Sequence, residues 1–203
     1  MRKYDLIPKI IHQIWVGDKP IPTAYIYYRK TWINHHPDWS FMIWTDHLVN
    51  NTDLMNRASY DAAWSPCVKA DMLRFEVLYK FGGVHIDADM ECLRPIDPLL
   101  EGDFMVSELS GMLAHAFMGA VPRHPLVKRV LADMPRRLIL KRSIHDIAGL
   151  RMFREHAEAF GLENIVVHPD HYFYHDPCIY ARHHFGASWM EKEYSPSPCK
   201  MLL

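Results

Sequence analysis

Apolar positions along the chain recur with two periods, and glycines and prolines separate the runs. Residues 9–17, KIIHQIWVG, form a short run rich in β-branched residues and read as a strand closed by Gly17, Pro20 and Pro22. Thr23 is placed to cap a helix running to about His35 and ended by Pro37. WSFMIWTD, residues 39–46, predicts a second strand. Residues 66–80, PCVKADMLRFEVLYK, are apolar nearly all round, open on Pro66 and stop at Gly82 and Gly83, which predicts a buried helix. VHI (84–86) is then a short strand. FMVSEL (104–109) and MLAHAFMGA (112–120) read as further strands, HPLVKRVLADM (124–134) and GLRMFREHAEAF (149–160) as helices. NIVVHP (164–169) is a late strand, and the remaining tail is expected to be irregular.

This alternation predicts an α/β protein with a mostly parallel central sheet flanked by helices. Such sheets bind ligands outside the carboxyl ends of their strands. In VHIDADMECLRP the chain places Asp87 and Asp89 at such an end. In an extended segment the two side chains point the same way, with Ala88 opposite. Two carboxylates so close in a half-dry cleft must share a proton or hold a cation. Mg²⁺ or Mn²⁺ would keep open positions for water and phosphate oxygens, whereas a caged Ca²⁺ would want more carboxylates than the nearby Glu91 supplies. Upstream, Asp71 and Arg74 stand three residues apart, on one face of the buried helix. A buried pair of this kind is satisfied by mutual bridging or by a ligand.

The 203 residues suffice for a single domain with a substantial core. A formal net charge of −1 excludes a whole-surface basic field, so no nucleic-acid partner is expected. No apolar run reaches the ~18 residues of a transmembrane segment. MRKYDLIPKIIHQIW lacks an h-region and a cleavage site, so a cytoplasmic location is expected, with room left for peripheral membrane association. Cys67, Cys92, Cys178 and Cys199 are widely spaced and form no C-x-x-C pair, which predicts buried free thiols. Fourteen histidines, six tryptophans and ten tyrosines suit ligand stacking and would suit a compact core equally well.

KADMLRFEVLYKFGGVHIDADMECLRPID resembles the signature of the DXD sugar transferases close to glycosyltransferase family 32, with Asp71, Arg74, Tyr79, Gly82, Gly83, Asp87 and Asp89 in register. That group includes initiating α-1,6-mannosyltransferases and capsular polysaccharide enzymes. IPKIIHQIWVGDKPIP resembles the family's first strand, and YARHHFGASW its closing block. The resemblance implies a GT-A fold over residues 1–203. Residues 1–95 would form the nucleotide-sugar half and 96–203 the acceptor-side half, which ends in a segment that closes on metal and diphosphate.

By position, the resemblance implies that Asp89 contacts the metal and Asp87 contacts metal or the donor's ribose and sugar. His183 would complete the metal shell; without that block, His183 and His184 read as a polar surface pair. Asp71 would accept from sugar hydroxyls and Arg74 would supply positive charge. Trp15 would stack on the base, although a core tryptophan fits its position as well. Ser188 and Trp189 would close over the diphosphate. His85 stands where relatives often carry tyrosine. His115 and the run Ala148, Gly149, Leu150 depart from the family pattern on the sugar and acceptor side. The chain is also short for the family.

The implied function is a metal-dependent retaining transfer of a hexose from a nucleotide-diphosphate sugar to a glycan, lipid-linked or protein acceptor. A UDP-sugar is favoured as donor and GDP-mannose is the other candidate. Asp87, Asp89 and Arg74 would serve catalysis. The rivals are a metal-dependent nucleotide-sugar hydrolase or phosphodiesterase and a non-catalytic sugar-nucleotide-binding module.

Overall fold

The run KIIHQIW supplies β1 (Ile10–Ile14), which is paired along both edges and covered on both faces, so even its polar residues are buried. His12 shows how such a position is tolerated. Trp44 Nε1 donates to its Nδ1 at 3.0 Å, and its Nε2 lies 2.8 Å from the Gly82 carbonyl. An indole only donates, so Nδ1 is the acceptor and Nε2 carries the proton. Burial keeps the ring neutral, lowering its pKa to about 4 against the weaker pull of the Gly82 carbonyl.

The computed structural model describes residues 6–140 and 143–186. Its main sheet has six strands in the order β2 (Ser40–Trp44), β1, β3 (Gly83–Ile86), β6 (Met112–Ala120), β5 (Phe104–Leu109) and β7 (Val166–His168). β1 runs parallel to β2 and β3, and β5 parallel to β7; β6 is antiparallel to both β3 and β5. β6 alone opposes the common direction, so the sheet is mostly parallel, as the strand–helix alternation predicts.

Helices cover both faces. On one side α4 (Pro66–Phe81), α5 (Pro125–Ile139), α6 (Ile144–Ile147) and α7 (Leu150–Phe160) pack Leu73, Phe75, Leu131 and Phe153 against Phe104 and Met118 of the sheet. On the other, α1 (Thr23–His35) brings Trp32 into a second cluster with Ile86, Phe117 and Phe173. α4 is the helix that positions the site. Ser65 accepts from the Cys67 amide at 3.2 Å and caps it, Pro66 sits in its first turn, and it ends at Gly82. Its buried Glu76 accepts from the amides of Met55 and Asn56, both at 2.8 Å, which ties down the start of α3 (Arg57–Ala62).

Three expectations need correction. Thr23 is the first helical residue rather than the cap; Pro22 holds the cap position, makes no side-chain bond, and its carbonyl accepts from Tyr25 N at 2.9 Å. The tail is not irregular throughout: β8 (Ala181–His183) pairs antiparallel with β4 (Met90–Cys92), opposing His183 to Met90. Cys92 is buried, but Cys67 and Cys178 are only half-buried; these three are free thiols, and Cys199 lies outside the described residues. α2 (Asp46–Asn50) and α3 are too short to leave a periodic signal in the sequence. No helix among the described residues is long and apolar enough to cross a membrane.

Candidate active site

β1 and β3 end side by side, and the chain beyond each turns into one cleft of about 270 Å³. Gly17, after β1, adopts φ +93°, and a Cβ there would stand 2.7 Å from Pro66 Cγ. This close approach brings the start of α4 into the cleft wall. Trp15, Lys19, Tyr25, Pro66 and Cys67 line the cleft together with Asp87, Asp89, His183 and Phe185. Trp15 lies edge-on to Tyr25 at 5.7 Å and anchors its indole N–H on the Lys19 carbonyl at 2.8 Å. Burial pushes the Cys67 thiol up to about 12, so it is no nucleophile near neutral pH.

The acidic pair sits on a turn rather than an extended segment. Met90 N donates to the Asp87 carbonyl at 3.2 Å, and Asp87 N donates to Ala116 O at 2.9 Å. The carboxylates converge because β8 stands opposite them. His183 Nε2 lies 3.3 Å from Asp89 Oδ1 and 3.7 Å from Asp87 Oδ2. The tail is fastened to the same turn by His184 N on the Asp89 carbonyl at 3.1 Å and by Gly186 N on Asp89 Oδ2 at 2.7 Å. His184 itself points away, bonded to Glu91 at 3.0 Å and stacked on Tyr28 at 4.2 Å.

Arg74 is the buried cation of the group. Its Nη2 donates to Asp71 Oδ1 at 2.5 Å, and its Nη1 lies 3.2 Å from Asp87 Oδ1. Burial pushes Asp71 up to about 6, Arg74 opposing and Asp87 adding to the rise. Burial would raise Asp87 too, but Arg74 and then His183 outweigh it and hold that carboxyl well below the usual range. Burial would lower His183, but its bond to Asp87 and the charge of Asp89 raise it. His85, 3.9 Å from Asp87, is kept neutral by burial and by Arg74, with its pKa lowered to about 3.

Arg74 thus pairs with Asp71 and Asp87, and Asp89 joins them through His183; three acidic groups beside one arginine leave a surplus of negative charge that calls for a cation. Asp87, Asp89 and His183 offer ligand atoms within 4.8 Å of one another. Two carboxylate oxygens and an imidazole nitrogen suit Mn²⁺ or Mg²⁺ and leave positions for phosphate oxygens. Ligation through Nε2 would require Nδ1 to carry the proton, so the 3.3 Å contact from Phe185 N to Nδ1 would have to open.

Of the residues singled out in the sequence, Asp71, Arg74, Asp87, Asp89 and His183 form one cluster, and Trp15 lies in the adjoining cleft wall. Ser188 and Trp189 lie outside the described residues. Tyr25, Lys19, Pro66, Cys67 and Phe185 join the wall without having been singled out. Pro66 in the first turn of α4 and the Gly17–Pro20 loop marked where the chain turns, and nothing local marked Phe185.

Comparison with known proteins agrees with this geometry. Residues 22–105 match the family described as glycosyltransferase sugar-binding region containing DXD motif. Inositol phosphoceramide mannosyltransferase 3 of Schizosaccharomyces pombe is 35% identical over 135 residues, covering 64% of this chain and 38% of that protein. The initiation-specific α-1,6-mannosyltransferase of Candida albicans is 30% identical over 114 residues, covering 50% of this chain and 29% of that protein. The chain thus spans well under half the length of these curated relatives. Among solved structures, the PaToxG glycosyltransferase superposes with a TM-score of 0.68 at 15% identity, over 79% of this chain and 72% of its own. The UDP-bound glycosyltransferase domain of the YGT toxin gives 0.55 at 10% identity, over 81% and 79%. Residues 22–105 are thus similar to a glycosyltransferase sugar-binding region, within a chain that has the GT-A fold.

Proposed function

We propose that this chain is the catalytic unit of a metal-dependent retaining hexosyltransferase, residues 1–95 holding the sugar nucleotide and 96–203 facing the acceptor. The observation that carries the reading is the Asp87–Asp89–His183 cluster at the end of a cleft walled by Trp15 and Tyr25. Mannose is the first sugar to test, because the relatives named above are mannosyltransferases; UDP-hexoses are the second. A glycan or lipid-linked hydroxyl would be the acceptor.

When bound, a divalent cation would neutralise charge on the departing nucleoside diphosphate. The chain's own residues position the donor. Trp15 offers its face to the base, a stack worth about 1–3 kcal/mol. Asp71 accepts from sugar hydroxyls, and Arg74 holds Asp71 and Asp87 apart while facing the sugar with positive charge. The bond between the anomeric carbon and the β-phosphate oxygen breaks as the acceptor oxygen bonds to the same face of that carbon. The acceptor's proton passes to the leaving phosphate oxygen, so no protein nucleophile is required. The chain supplies positioning and electrostatic stabilisation.

The test is incubation with GDP-mannose or a UDP-hexose, Mn²⁺ and a panel of glycan and lipid-linked acceptors. Formation of glycosylated acceptor that depends on Mn²⁺ and is abolished in Asp89→Asn, with the fold retained, is the expected result. Free sugar released equally with and without acceptor would replace transfer by hydrolysis. Nucleotide binding without turnover would reduce the chain to a binding module.

A further inference from the structure

Arg74 is central to the site, and a residue that is neither of its carboxylates holds it as closely as Asp71 does. His115 Nδ1 lies 2.5 Å from Arg74 Nη1, and the His115 carbonyl accepts from the same nitrogen at 3.0 Å. Nη1 has two hydrogens and three acceptors around it, the third being Asp87 Oδ1 at 3.2 Å. A guanidinium only donates, so Nδ1 of His115 presents its lone pair and the ring is neutral.

His115 reaches Arg74 because β6 is irregular at this point. The β5–β6 register steps from Val106 opposite Met118 directly to Ser107 opposite Ala114, so residues 115–117 bulge out of the ladder. Ser107 closes the gap: its hydroxyl donates to Ala114 O at 2.6 Å and accepts from the Tyr174 hydroxyl, also at 2.6 Å. The Tyr174 ring in turn packs against His183 at 5.6 Å. The same bulge carries Ala116 O, which accepts from Asp87 N. One local distortion therefore touches Arg74 and Asp87 directly, and His183 through Ser107 and Tyr174.

We propose that the β6 bulge is a positioning device for the donor site and that His115 is its positioning residue. Acting as a neutral acceptor, His115 keeps the guanidinium turned toward the sugar side when a cation and a donor draw Asp87 away from it. This rests on the proposed sugar-nucleotide function for its binding consequence, but not for its tautomer.

Two variants separate acceptor chemistry from packing. In His115→Asn, Oδ1 can take the place of Nδ1 and still accept from Arg74; His115→Leu keeps the branched shape and loses the acceptor. Calorimetry with GDP-mannose and UDP-glucose, each with Mn²⁺, should show His115→Leu binding the preferred donor at least tenfold more weakly than the parent. His115→Asn should stay within a few-fold of it. Equal donor affinity in the Leu variant, or equal loss in both variants, would overturn the proposal. ¹⁵N spectroscopy of the parent chain should show the Nε2–H tautomer at residue 115, and an Nδ1–H signal would refute the contact outright. If the parent binds neither donor, the proposed function fails, while the tautomer measurement still decides the role of His115.

Discussion

At the scale of single residues, the site is a problem of too many negative charges in too little water. Asp71 and Asp87 share Arg74, Asp87 and Asp89 share His183, and His183 is the adjustable member, its imidazole raised by the two carboxylates beside it despite burial. A folded-state value above the ordinary 6.5 means the charged ring stabilises the cation-free protein below that pH, and the contribution is lost as pH rises through the raised value. A metal at Nε2 must displace that proton, so proton and cation compete. Mn²⁺ affinity should therefore climb with pH from about 6 upward, approaching tenfold per unit while His183 is mostly charged. In His183→Asn the slope should flatten, with weaker binding throughout. Calorimetric titration of Mn²⁺ across that range checks this, and a parent affinity indifferent to pH would remove His183 from the metal shell. These chemistry-bearing residues were legible in the sequence because burying charge is costly, so Asp71 and Arg74 on an apolar helix stand out. His115 gave no such signal: its role depends on a bulge, and a bulge is a matter of register between two strands.

At the scale of elements, α4 and β3 together carry Asp71, Arg74 and the entry to Asp87. The sequence marked them well because Pro66, Gly82 and Gly83 are backbone requirements. Gly83 has φ +91°, and a Cβ there would stand 2.5 Å from the Ile10 carbonyl and 3.0 Å from the Ile10 side chain. That carbonyl belongs to β1, so relief would mean separating the two strands whose ends form the cleft. Gly83→Ala should destabilise the fold by about 2 kcal/mol or more, from left-handed strain plus the clash. Chemical denaturation measures this directly. A change under about 0.5 kcal/mol, the size typical of an ordinary surface substitution, would show that β1 and β3 are not held at this spacing. Elements without such markers were missed. α2 and α3 are about a turn long, and β4 and β8 have three residues each, so their pairing follows from the acidic turn and the tail meeting in space.

At the scale of the whole molecule, the sheet delivers residues distant in sequence to one end: Trp15 after β1, Pro66 at the head of α4, Asp87 after β3 and His183 from the tail. The cleft is built from both halves of the chain, so filling it should tighten the whole domain. The order of filling follows from charge. A nucleoside diphosphate arriving alone brings negative charge to a cluster that already holds three acidic groups. A cation arriving first cancels that surplus, so the two ligands should bind with strong positive coupling. Thermal denaturation should therefore show a small shift with GDP-mannose or UDP-glucose alone and a modest one with Mn²⁺ alone. Together they should give a rise larger than the sum, equivalent to about 2.7 kcal/mol when the donor is present at a hundred times its dissociation constant. Asp89→Asn should lose this excess while keeping its own melting point near the parent's, because Oδ1 of the amide can still accept from the Gly186 amide. Strictly additive shifts would mean that metal and diphosphate do not meet in this cleft. The acidic turn would then be satisfied by Arg74 and protonated His183 alone.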